Sequence, residues 1–92
     1  MTEMVRFVLF VGSESVEVKM GMLSKQNFLP RLHDKVLIYE DIKEYLSAWA
    51  SAVEILFSAY DMIPTVNLRG ASGKGSMAER VQKLEKLGWK KV

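Results

Sequence analysis

The sequence predicts a small α/β domain of two or three layers, with a sheet of three or four strands covered by two helices. Three observations predict it. A long stretch, 41–60, carries helical periodicity; short apolar runs at 4–11, 35–39 and 65–68 are bounded by turn residues; and a second helix, 76–87, is marked at both ends. The stretch 15–22 supplies a fourth strand if it is extended.

Residues 4–11, MVRFVLFV, are rich in β-branched and aromatic side chains and close on Gly12 and Ser13. Both alternating sets are apolar, so the strand is expected at the centre of the sheet with material on both faces. Residues 13–25 read two ways. Val16, Val18, Met20 and Met22 alternate with Glu17, Lys19 and Gly21, as in a strand hairpinned to the first. The same letters allow a helix capped by Ser13 or Ser15 that gathers Val16, Met20 and Leu23 on one face. A hairpin gives a mixed sheet, and a helix gives a parallel βαβα order.

Gln26–Asp34 contains Pro30 and turn formers and reads as a connection. The single histidine, His33, falls here and reads as a turn residue: it neighbours Asp34, but no motif marks a serine or cysteine nucleophile for the pair to activate. KVLIY, 35–39, reads as a buried strand. The next stretch, 41–60, is expected to organise the domain. Asp41 and Glu44 form a capping box, and Ile42, Tyr45, Leu46, Trp49, Val53, Leu56, Phe57 and Tyr60 share one helical face. Beside that face runs a row of small and apolar residues, Ala48, Ala52, Ile55 and Ala59, which lets another backbone approach closely and makes them candidate interface residues. Pro64 ends this region and TVNL, 65–68, follows as a strand. Strand, long helix and strand together imply a right-handed crossover with 35–39 and 65–68 parallel. In the last helix Ser76 and Glu79 make a second capping box, while Gly88 and Trp89 suit a Schellman ending in which Trp89 folds back on Leu84.

Composition restricts function. Ninety-two residues make one domain. Cysteine is absent, which removes disulfides, thiolate nucleophiles and cysteine-ligated metals. With one histidine and scattered carboxylates, neither a metal nor a cofactor is expected. No apolar run approaches a membrane span, and Phe7–Val11 is too short for a signal-peptide core, so a cytoplasmic protein is expected.

Charge is uneven. Residues 1–68 hold six Lys/Arg against nine Asp/Glu, whereas 69–92 hold seven against two. The stretch that could bind an anion is 69–76, between a strand and a helix. Gly70, Gly73 and Gly75 expose backbone N–H groups, Arg69 and Lys74 add positive charge, and Ser76 opens the helix. Its spacing is not that of a nucleotide-binding loop: two residues separate Gly70 from Gly73, and Gly75 stands between Lys74 and Ser76. A nucleic-acid reading would use Arg69, Lys74, Arg80, Lys83, Lys86, Lys90 and Lys91 against phosphates, with Trp89 stacking on a base. The apolar excess and the lack of catalytic groups favour another function. They predict a non-catalytic binding or assembly module, a homo-oligomer or an accessory subunit held by a protein partner. The alternative is a binder of a phosphorylated small molecule or nucleotide at 69–76.

Overall fold

The computed structural model of the chain describes residues 3–12, 16–41, 46–70 and 75–92. Among them, six strands form one curled half-barrel sheet carrying a single helix. In chain order the elements are β1 (Glu3–Gly12), β2 (Glu17–Gln26), β3 (Lys35–Asp41), β4 (Leu46–Leu56), β5 (Thr65–Arg69), α1 (Met77–Lys86) and β6 (Lys90–Lys91). Across the sheet the order is β3-β4-β5-β1-β2-β6. Only β1 and β5 are parallel neighbours.

The expected α/β fold with three or four strands and helices 41–60 and 76–87 is therefore overturned. The stretches 4–11, 35–39 and 65–68 do lie in strands and 77–86 is helical, but 41–60 is not a helix. Asp41 ends β3, residues 42–45 lie outside the described residues, and 46–56 form an internal strand. Its pattern has period two: Ala48, Ala50 and Ala52 are buried while Trp49 between them is 43% exposed. Alanine favours a helix intrinsically, but a strand hydrogen-bonded on both sides follows its packing rather than its propensity. The crossover is overturned with the helix. β4 lies between β3 and β5 and is antiparallel to both, so 35–39 and 65–68 do run in the same direction as expected, but an intervening strand rather than a helical crossover joins them.

The ambiguous segment 13–25 resolves as the hairpin. β2 runs antiparallel to β1 from the Gly12–Glu17 pair to the Glu3–Gln26 pair, and residues 13–15 lie outside the described residues. Gly12 has φ 118, and a Cβ there would meet the Val16 carbonyl and the Met77 methyl, so the turn needs glycine.

One face of the sheet holds the core. Val5, Phe7, Leu9 and Val11 of β1, Met20 of β2, Ala50 and Ala52 of β4, and Val66 and Leu68 of β5 pack there with Val81 and Leu84 of α1 and with Trp89. The helix ends where the sequence marks them. Ser76 Oγ accepts the Glu79 N–H at 3.3 Å. At the other end Trp89 N–H donates to Leu84 O (3.1 Å) and Gly88 N–H to Glu85 O (3.2 Å), the paired bonds of a Schellman motif, with Gly88 at φ 103. That motif directs Trp89 into the core, where its Nε1–H is buried without a hydrogen-bond partner. The opposite face of the sheet carries no helix among the described residues. It presents the other alternating set, which includes Arg6, Val8 and Phe10 of β1.

Candidate functional site

The candidate anion residues flank the connection between β5 and α1, and part of that connection lies outside the described residues. Arg69, at the end of β5, lies over the open face of the sheet: its Nη1 is 2.6 Å from Glu17 Oε2, and its guanidinium sits 4.0 Å above the Phe10 ring. Gly73 and Lys74 lie outside the described residues. Gly70 (φ 73) and Gly75 (φ 99) adopt the left-handed backbone that suits glycine, and Ser76 caps α1. A Cβ on Gly75 would stand 2.7 Å from Glu79 Oε2, so a carboxylate already occupies the approach to the first helical turn. The charge of Arg69 is engaged on the sheet face.

The candidate interface row is taken apart. Ala48 and Ala52 are buried inside the domain, Ile55 is half-buried against the same core, and Ala59 is exposed in the connection after β4. Their helical spacing has no helix to act on. Trp89, the expected base-stacking residue, is only 3% exposed and cannot meet a ligand. Lys83 lies 4.6 Å from the Tyr39 ring. His33, with φ 74, is a turn residue as expected: its N–H donates to Ala52 O at 2.7 Å and so ties the turn to β4. No group of three or more His, Asp or Glu residues able to hold a metal ion occurs among the described residues. Nor is any helix among them long and apolar enough to cross a membrane.

Two surfaces stand out instead. The first is an apolar groove of about 390 Å³ at the end of the sheet where β1 begins, lined by Met4, Leu29, Phe57, Met62, Ile63 and Pro64, with Glu3 at its edge. Phe57 is 76% exposed and Met62 81%. The groove exists because the chain after β4 does not re-enter the core at once. Tyr60 N–H donates to Ser58 Oγ, and Ile63 N–H donates to Asp61 Oδ1. These local bonds shape a turn in which Met62 has φ 59, and Arg6 clamps that turn to β1 through Asp61 at 2.9 Å. Asp61 is held below the usual carboxylate range, chiefly by the hydrogen bond from Arg6 and then by the Ile63 N–H.

The second is the open face of the sheet. The registers Lys35–Ser51 and Ser51–Arg69, the stacking of Arg69 on Phe10, and the register Phe10–Lys19 set one residue from each of five strands in a row across it. Beside the row, Trp49 pairs with Leu37, and a groove of about 370 Å³ is lined by Lys35, Trp49, Ala50, Ser51 and Gly70. Helical periodicity conceals both surfaces, because it assigns Trp49 and Phe57 to one buried stripe. Reading 46–56 with period two would have placed Trp49 outside.

Comparison with family models, curated proteins and solved structures gives no significant match. Among the described residues the fold by itself defines a six-stranded sheet with one helix on one face and none on the other.

Proposed function

We propose that this chain is a small non-catalytic assembly module, working as a homo-oligomer or as an accessory subunit that takes an apolar segment of its partner into the groove beside Phe57. One observation carries the reading: Phe57 and Met62, 76% and 81% exposed, border a concavity whose lining is apolar apart from Glu3. Single exposed apolar residues are ordinary on protein surfaces. An apolar concavity edged by an exposed phenylalanine and methionine is the composition of an interface core, where aromatic and methionine side chains are enriched and charge is depleted. The thioether of Met62 adapts its shape to what it meets. The cytoplasm remains the proposed location, on the shortness of the apolar runs.

The test is the mass of the particle in solution. Analytical ultracentrifugation of the purified chain, with native mass spectrometry of the protein drawn gently from its source cells, should show a dimer, a higher oligomer or a fixed-stoichiometry complex. Phe57→Asp with Met62→Asp should reduce that species to the monomer while leaving the circular dichroism spectrum unchanged, because neither side chain is in the core. A wild-type protein monomeric in both measurements would end the proposal.

A further inference from the structure

The open face of the sheet carries a pattern that the assembly reading does not use. Its cross-strand row runs Lys35, Ser51, Arg69, Phe10 and Lys19, from β3 to β2. At about 4.8 Å between strands the row spans about 19 Å. It is cationic at both ends and aromatic within. Phe10 lies under the Arg69 guanidinium at 4.0 Å and within 5.4 Å of Lys19 Nζ. Trp49, 43% exposed, stands next to the row over the groove that Lys35 and Ser51 also line. Toward the other edge of the sheet a second groove, of about 490 Å³, adds Lys90 and Lys91 beside Arg6, Val8, Gly21 and Leu23.

Of the carboxylates Glu17, Asp61 and Glu54, two are neutralised by arginines, and the third keeps its charge against a neutral amide. Glu17 is paired with Arg69, Asp61 with Arg6, and Glu54 accepts a hydrogen bond from Asn67 Nδ2 at 2.6 Å. Lys19, Lys35 and Lys90 belong to neither ion pair. Among the described residues these lysines outnumber Glu54, and they are interleaved with aromatic rings.

We infer that this face binds single-stranded nucleic acid. Unpaired bases stack on aromatic rings and on guanidinium planes, and the phosphates between them need cations at intervals; the row and the Trp49 groove place both kinds of group on one open surface. A base stacks on Trp49 in the first groove, a neighbouring base lies against the guanidinium of Arg69, and the phosphates run past Lys35 and Lys19 toward Lys90. An acidic peptide would match the lysines but would gain little from Trp49. A duplex keeps its bases stacked inside and offers the rings nothing. The expected preference is therefore for single strands with little dependence on sequence, since every base has a face to stack.

The chain's two tryptophans make the test direct. Trp89 is buried, so quenching of exposed-indole emission on adding an oligothymidylate reports Trp49. Labelled oligothymidylate should also raise fluorescence anisotropy in low salt. With about three phosphates neutralised at about 0.7 ions each, a fourfold rise in salt should weaken binding about twentyfold. Trp49→Ala should weaken it about tenfold by removing one stacking platform. Lys19→Glu with Lys35→Glu should weaken it further and flatten the salt dependence. Lys19 and Lys35 are exposed and Trp49 is 43% exposed, and a circular dichroism spectrum matching the wild type confirms that the variants fold. Absence of quenching and of anisotropy change in low salt overturns the inference. So does binding that survives all three substitutions, equal affinity for a duplex of the same length, or equal quenching by poly-glutamate, which would assign the face to an acidic protein partner.

Discussion

Arg6 ties β1 to the turn and strand that follow β4, with both its side chain and its backbone. Its Nη2 donates to Asp61 Oδ2 at 2.9 Å, its Nη1 to Thr65 Oγ1 at 3.3 Å, and its backbone N–H to Pro64 O at 2.9 Å. The first of these contacts sets a sign. Asp61 titrates below its ordinary value of 3.8 because its charged form is hydrogen-bonded in the fold. The stabilisation is therefore complete above pH 3.8 and is lost as the pH falls through the lower, folded-state value. In a carboxyl-carbon NMR titration Asp61 should show a midpoint below 3.8, and Arg6→Met should raise it toward 3.8, though not fully, because the Ile63 N–H still donates to Oδ1. An unchanged midpoint in Arg6→Met would mean that Arg6 is not the main cause. Contacts of this kind were not legible in the sequence: Arg6 and Asp61 stand 55 residues apart, and Arg69 and Glu17 stand 52 apart. The local ones were. Ser76 and Gly88 with Trp89 declare the ends of α1 because a cap is made within four or five residues of itself, and no tertiary arrangement has to be known.

At the scale of elements, β4 decides the architecture. Helix and strand were both written in 46–56, since Ala48, Ala52 and Ile55 follow one period while Ala48, Ala50 and Ala52 follow the other. Helical spacing assigns the small residues to a close approach of another backbone, whereas in the structure their smallness serves the sheet. Ala48 shares a small cavity with Ile38 and Tyr39 of β3 and with Arg80 and Leu84 of α1, so short side chains on β4 leave the room that the larger residues fill. Replacing Ala52, fully buried, with leucine should cost about 1–3 kcal/mol in chemical denaturation through overpacking. Ser51→Thr, a neutral change at a partly exposed position, should change stability by less than about 0.5 kcal/mol, the range of ordinary surface substitutions. Equal tolerance at both positions would contradict the alternation of β4. The misreading of β4 carried the topology with it. A helix at 41–60 would cross over the sheet between two parallel strands, whereas β4 lies in the sheet between β3 and β5, antiparallel to both, and leaves those two running the same way. β1, by contrast, was correctly placed inside the sheet because its apolar run leaves no polar edge. Its neighbours could not be named from that run, and its second face is open rather than covered.

At the scale of the whole molecule the balance of surface is unusual. A compact monomer of 10.5 kDa is expected to expose about 5,400 Å², whereas this chain exposes 6641 Å². Its radius of gyration, 13.1 Å, likewise exceeds the roughly 12.3 Å expected for its length. Among the described residues a single ten-residue helix covers one face of a six-stranded sheet, and no helix lies on the other. Such a domain has stability to gain from association, because binding to the folded state but not to the unfolded chain raises the melting temperature with concentration. The groove beside Phe57 is where that gain is expected. Thermal denaturation of the wild type across the micromolar range should therefore show a midpoint that rises with protein concentration. Phe57→Asp with Met62→Asp should give one constant midpoint, equal to the wild-type value at high dilution, since the exposed pair contributes nothing to the monomer's core. A wild-type midpoint independent of concentration would show that the isolated fold stands without self-association and would leave a different subunit as the groove's occupant. If the double substitution instead lowered the midpoint at every concentration alike, Phe57 and Met62 would be stabilising the monomer itself, and the groove would be part of the fold rather than a place for a partner.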